Sequence, residues 1–190
     1  GNPDLHWETA RKQNLGFEFA FFDDKFSMSL DLFKEDRDDI IVFADQRKVP
    51  LYFGATAPAA NIGITKSNGY EFVANYRNNI NKFNYCASFN FTYVKDEIIK
   101  KEYTELLPEY QKAAGLQIDQ TRSSLASGII NSWDQMYTGV VGLNNTQLLP
   151  GDYRIIDYNA DGFIDGRDTV AYGFPSRPQS TYGFALGGDY

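Results

Sequence analysis

Twelve residues of this chain carry oxygen at intervals suited to a cation: Asp157-Tyr158-Asn159-Ala160-Asp161-Gly162-Phe163-Ile164-Asp165-Gly166-Arg167-Asp168. Side-chain oxygens stand at loop positions 1, 3, 5, 9 and 12, with Gly162 at 6, the Phe163 carbonyl at 7 and an apolar residue at 8. A loop so spaced wraps a hard cation in oxygen, the glycine supplying the sharp turn. Calcium is therefore the expected ion, with Asp157, Asn159, Asp161, Phe163, Asp165 and Asp168 as its ligands. Asp168 stands where glutamate is usual, and its shorter arm favours weaker binding. An affinity of about 10⁻⁴ to 10⁻³ M is adequate outside a cell. No helical pattern flanks the loop on both sides, so the expected role is structural rather than signalling or catalytic. The alternative is a solvated acidic turn that holds no ion.

Other reactive side chains are few. His6, the only histidine, has no Ser, Cys or carboxylate at a recognisable catalytic spacing and reads as a surface or packing residue. Cys86, the only cysteine, excludes an intrachain disulfide and a thiolate metal site, leaves the redox compartment open and reads as inert packing. Asp36, Asp38 and Asp39 read as a charged loop at a strand end before they read as acid–base groups or a second cation site. Trp7, Trp133, Tyr137 and Tyr153 offer flat faces suited to sugar rings. Trp133, Tyr137 and Tyr153 are the candidates for substrate or partner contact, against ordinary loop packing. No covalent chemistry and no enzyme is expected.

The elements that must position these residues show strict period-two alternation. From Phe83 the odd positions are Phe83, Tyr85, Ala87, Phe89, Phe91 and Tyr93, and the even ones Asn84, Cys86, Ser88, Asn90 and Thr92. Successive side chains on a strand point to opposite faces, so an aromatic face opposes a polar one. Leu15, Phe17, Phe19 and Phe21 repeat the pattern, as do Phe26, Met28, Leu30 and Leu32 after the tight turn Asp23-Asp24-Lys25. Tyr70, Phe72, Ala74 and Tyr76 form a fourth such face, followed by a turn over residues 78–82, and Tyr182, Phe184 and Leu186 a fifth.

Length separates these strands from ordinary ones, which run about 5 to 6 residues. About 12 residues at roughly 3.4 Å each reach about 40 Å, and a tilt near 45° leaves about 28 Å, a bilayer core. The expected strands cover about residues 11–22, 26–37, 69–77, 83–94 and 181–190. Between them short turns alternate with long connections, about residues 38–68 and 95–180. In outer-membrane barrels the turns are periplasmic and the long loops extracellular, and a loop of about 80 residues counts against a compact soluble domain. A short helix is expected within Asp96–Ala114, interrupted at Pro108. Phe21, Phe22, Phe83, Tyr85, Tyr93 and Tyr182 fit interfacial aromatic girdles, or equally the core of a sandwich.

Composition agrees. Aromatics make up 16% of 190 residues while mean hydropathy is −0.43, so apolar and polar residues must interleave. No run approaches the roughly 18 apolar residues of a membrane helix. The net charge of −7 leaves no basic stripe for nucleic acid. The chain starts at Gly1 with no charged and apolar leader, from which a removed signal or a missing beginning is expected.

Three stretches resemble one family. Gly1-Asn2-Pro3-Asp4-Leu5-His6-Trp7-Glu8, followed by Asn14-Leu15-Gly16-Phe17, resembles the GNP-x-L-x-WE segment late in SusC-like TonB-linked outer-membrane transporters. Asn61-Ile62-Gly63 with Asn68-Gly69-Tyr70-Glu71-Phe72 is similar to their N-x-G and N-x-G-x-E-F segments. Pro150-Gly151-Asp152, the Asp157–Asp168 loop, Pro178 and Thr181-Tyr182-Gly183-Phe184 match their third pattern. Order and spacing agree over nearly the whole chain, least well over Lys95–Leu149. The resemblance implies the late part of a barrel of about 22 strands with a plug inside. It also implies import of glycans or peptides, energy passed through TonB by parts absent from this chain, and a SusD-like surface lipoprotein as lid.

The expected fold is thus all-β: about five strands of an antiparallel transmembrane β-barrel, the whole chain being one partial barrel with long extracellular loops. Residues such as Asn84, Ser88, Asn90 and Thr92 line the lumen, and the aromatic faces meet outer-membrane lipid. The competing expectation is a secreted soluble β-sandwich that binds carbohydrate, with a calcium-stabilised loop.

Overall fold

The computed structural model describes residues 2–47, 54–55, 57–103, 107–142 and 148–190, in two compact units. The first is a single antiparallel sheet of five strands: β1 (Thr9–Phe21), β2 (Phe26–Val42), β3 (Ala60–Ile80), β4 (Phe83–Lys100) and β11 (Ser180–Asp189). Its order is β1-β2-β3-β4-β11, so every connection joins sheet neighbours, the last one across the long segment between Lys100 and Ser180. The β1–β2 turn places Phe22, Asp23 and Asp24 at positive φ, and the β3–β4 turn is only Asn81-Lys82, with Asn81 at φ 57°. Asparagine and aspartate tolerate that region better than most residues, which suits both hairpins.

Register turns the alternation of each strand into one surface. Phe17 lies opposite Leu30, Leu30 opposite Phe72, Phe72 opposite Phe91 and Phe91 opposite Tyr182. The next row is Phe19, Met28, Ala74, Phe89 and Phe184. A one-residue slip between any pair would move a whole stripe to the wrong face, so the stripes pin the register. Aromatic cross-strand pairs reinforce it: the rings of Tyr70 and Tyr93 lie 5.5 Å apart and those of Phe72 and Phe89 6.2 Å. The opposite face carries Glu18, Asp31, Glu71, Ser88, Asn90 and Thr92.

Among the described residues the aromatic face stays exposed. Phe17, Phe19, Phe184 and Leu186 remain 41%, 44%, 65% and 73% exposed. The chain exposes 13892 Å², whereas a folded monomer of 21.5 kDa exposes roughly 9,200 Å². The sandwich expectation fails on this point, since it required those rings to be enclosed between sheets.

The strands run further than alternation indicates. β2, β3 and β4 have 17, 21 and 18 residues and extend into both segments read as loops. Beyond the aromatic rows the ladder is held by charge: Arg11–Asp38 at 3.2 Å, Lys12–Glu35 at 3.4 Å and Lys66–Glu97 at 2.9 Å. A strand wet on both faces needs no apolar alternation, so its sequence signal fades. β2 also bends there. Asp38 and Asp39 oppose the single residue Ile64 in a bulge with Asp39 at φ 59°. Among the described residues, no α-helix forms within Asp96–Ala114. Ile98 and Ile99 belong to β4, Leu106 falls outside the described residues, and only a 3₁₀ turn at Glu109–Gln111 is helical.

The second unit comprises, among the described residues, 107–112, 119–142 and 148–176. It pairs β5 (Gln120–Ser124) with β10 (Thr169–Pro175), β6 (Ala126–Ile129) with β8 (Tyr153–Ile155), and β7 (Val141–Gly142) with β9 (Phe163–Ile164). A short helix, α1 (Trp133–Thr138), is capped by Ser132, whose hydroxyl accepts from the Gln135 N–H. Its buried residues are Ile130, Val170 and Asp168.

Candidate functional site

The Asp157–Asp168 loop is built on a chain of side-chain-to-backbone hydrogen bonds. Asp157 accepts from the N–H groups of Asp161 (3.2 Å) and Gly162 (2.9 Å), Asn159 from Asp161 (3.0 Å), and Asp161 from Phe163 (3.0 Å). These turns curl the backbone so that Gly162 sits at φ 90°, a conformation glycine adopts without strain. Asp168 is fully buried and closes the ring. It accepts from Tyr158 (2.8 Å) and Asn159 (3.4 Å) on one oxygen and from Asp165 (2.7 Å) on the other. A buried carboxylate is tolerable only when so satisfied.

Arg167 lies between two of the acids. Its Nη2 is 2.7 Å from Asp161 and 2.9 Å from Asp165, while Nε donates to Asp165 at 2.9 Å. The guanidinium holds the Asp165 carboxyl below the usual range, and the Arg167 N–H bonded to it acts the same way. Tyr110 and Gln111 both donate to the Arg167 carbonyl at 2.8 Å, and the Tyr110 and Tyr158 rings lie 4.7 Å apart. Sequence reasoning missed Arg167, Tyr110 and Gln111. The signal for Arg167 was a lone cation inside a run of acids. For the other two there was none, since they come from 46 or more positions upstream.

All six residues expected to ligate calcium thus lie on one folded loop of hard oxygen donors. Among the described residues, no group of three or more His, Cys, Asp or Glu side chains forms that could hold a metal ion.

Trp133 and Tyr137 lie one helical turn apart on α1, 55% and 78% exposed, and Tyr153 on β8 is 69% exposed. No ring contact joins the three among the described residues, so they are presented separately. In the sheet unit, His6 is exposed, with Nδ1 2.9 Å from the Asp4 carbonyl and Nε2 3.4 Å from Asp39. The Asp4 carbonyl and then Asp39 raise its pKa. Asp36 pairs with Lys34 and Asp38 with Arg11, so these acids are strand-end partners and not a second site. Cys86 is exposed on the polar face.

Asn61 joins three segments: it accepts from His6 N–H (3.2 Å) and donates to the His6 carbonyl and the Asp39 carbonyl, both at 2.8 Å. Two of the recurring sequence segments therefore meet at one side chain. The long connections are tied at Arg47, whose guanidinium forks onto Glu102 at 2.7 and 2.9 Å and onto the Pro58 carbonyl at 2.6 Å.

The family model described as TonB dependent receptor-like, beta-barrel, matches residues 1–190. The chain belongs to the TonB-dependent receptor β-barrel family. Relatives include TonB-dependent receptor P3 of Formosa agariphila, 28% identical over 96% of this chain and 19% of that protein. TonB-dependent receptor SusC of Bacteroides thetaiotaomicron is 23% identical over 92% of this chain and 17% of its own length. Among solved structures, the RagAB peptide importer in its open-open state superposes with a TM-score of 0.71 at 22% identity, over all of this chain and 20% of that one. Its closed-closed state gives 0.70 at 21%. The chain therefore spans about a fifth of the proteins it matches. The open sheet is a fragment of a TonB-dependent receptor β-barrel.

Proposed function

We propose that this chain forms part of the wall and outer loops of an outer-membrane importer of glycans or peptides. TonB coupling lies in parts of the protein outside this chain, and a SusD-like lipoprotein covers the barrel mouth. The observation that carries this reading is the register: four strands align a continuous apolar face rich in aromatics, and β11 continues it. The ladder becomes charged toward the long connections, and the length of those connections supports reading that end as the extracellular one. Trp133, Tyr137 and Tyr153, exposed on the unit inserted between β4 and β11, are the residues proposed to meet substrate or lipoprotein. The test is nutrient uptake by cells carrying the full-length parent with all three changed to alanine. Loss of growth on oligosaccharides alone or on peptides alone assigns the substrate class. Unchanged uptake of both, with unchanged recovery of the lipoprotein, removes these residues from the proposal.

We also propose that the Asp157–Asp168 loop takes calcium in a structural role. The succession of carboxylate and amide oxygens, curled by Gly162, supports it, and a bound ion would compete with Arg167 for Asp161 and Asp165. In the full-length protein, chelation followed by limited proteolysis should open cleavage near residues 157–168, and added calcium should close it. A loop equally resistant with and without chelator would overturn the calcium reading.

A further inference from the structure

One row of the outward face differs in charge from its neighbours. On the loop side of Leu15, Leu32, Tyr70 and Tyr93, the next row on the same face is Gln13, Lys34, Asn68 and Lys95. All four are exposed. The register runs without a shift from the aromatic row to this one, so both point the same way; the β2 bulge comes only after Arg37. The row holds two lysines and two amides and no carboxylate. The row beyond it, Arg11, Asp36, Lys66 and Glu97, is balanced, with Lys66 on Glu97 at 2.9 Å. Lys34 reaches across to Asp36 at 2.9 Å, whereas Lys95 has no carboxylate partner among the described residues.

Successive rows on one face are roughly 7 Å apart, so the lysines stand one step above the tyrosines that end the apolar band. At that height a strand leaves hydrocarbon and enters the headgroup layer. A lysine stem lies along apolar surface while its ammonium reaches the interface, and amides donate to phosphate oxygen without bringing negative charge. We propose that the outward row Gln13–Lys34–Asn68–Lys95 seats the phosphate of an anionic lipid headgroup in the leaflet facing the long loops. The inference rests on the membrane orientation proposed above. The opposite face at the same level does not share the property, because its row of Lys12, Glu35, Ser67 and Asp96 holds two carboxylates against one lysine.

The test uses the full-length protein in phosphatidylcholine nanodiscs doped with a phosphorylated glycolipid or its dephosphorylated counterpart, retained lipid being counted by native mass spectrometry. Wild-type protein should prefer the phosphorylated lipid. The Lys34→Gln/Lys95→Gln pair should reduce that preference about thirtyfold, on the scale of two interfacial lysines, and Lys12→Gln should not. Equal retention in wild type and the double variant, or displacement by an equal concentration of inorganic phosphate, overturns the inference. Orientation is read separately by labelling Ala55→Cys, in a Cys86→Ser background, in intact cells with a membrane-impermeant thiol reagent. Labelling without lipid preference refutes the seat alone, and absence of labelling refutes the orientation.

Discussion

Gly69 sits where β3 and β4 approach closely: a Cβ there would lie 2.1 Å from the Tyr93 carbonyl oxygen and 2.7 Å from Cζ of Phe33. The first of these is backbone in a paired strand and cannot step aside. Gly69→Ala should therefore break the β3–β4 ladder locally, costing about 1–3 kcal/mol or more. The expected readout in the full-length protein is a smaller fraction of folded, heat-modifiable barrel on unboiled gels, and an undiminished folded fraction would contradict the close approach. Asp168 makes a different demand. Asp168→Ala strands three backbone N–H groups, each worth about 1–3 kcal/mol when buried and unpaired, so the loop should exchange its amide hydrogens much faster at Tyr158 and Asp165. Unchanged exchange at both would refute its role as the loop's hub. Neither role was legible in the sequence in full: Gly69 appeared within a recurring segment, but Phe33 leaning over it is a cross-strand fact. Asp168 was placed in the loop by spacing alone, while its burial depends on how the loop curls.

The strands were legible where their two faces meet different solvents. Phe17, Phe19 and Phe21 against Gly16, Glu18 and Ala20 report an apolar side and a more polar one, and the hairpins followed from it. Where both sides are wet, as from Lys34 to Val42 and from Ala60 to Asn68, pairing rests on salt bridges and backbone bonds, so period-two patterning ended the strands early. The same two-solvent argument yields a contrast within one strand region. Phe19 and Phe89 share the middle apolar row, and Ser88 lies beside that row on the opposite face. Phe19→Arg should cost about 2–4 kcal/mol near the bilayer midplane, while Ser88→Arg, facing water, should change folding stability little. Denaturant-dependent folding of the full-length protein into liposomes would compare them. Equal penalties would mean that the faces are wrongly assigned.

A barrel wall is stable only as part of a closed cylinder, and this chain's sheet leaves the outer edges of β1 and β11 unpaired among the described residues. An edge of 13 residues in β1 and one of 10 in β11 would each present backbone groups to lipid, where every unsatisfied group is costly. In water the edges are solvated, but the aromatic face is not, and in the sheet unit only Ala57 is a buried apolar residue among those described. The two environments exclude the excised chain for opposite reasons, and the rest of the protein relieves both by pairing the edges and closing the cylinder in the membrane. Residues 1–190 expressed alone should therefore aggregate without detergent and show fast amide exchange along β1 and β11, whereas the same strands in the full-length protein should be protected. A monodisperse, detergent-free monomer with β1 protected would require a partner surface for Phe17, Phe19 and Phe21 inside the chain itself, and would refute the wall as the origin of the fold's stability.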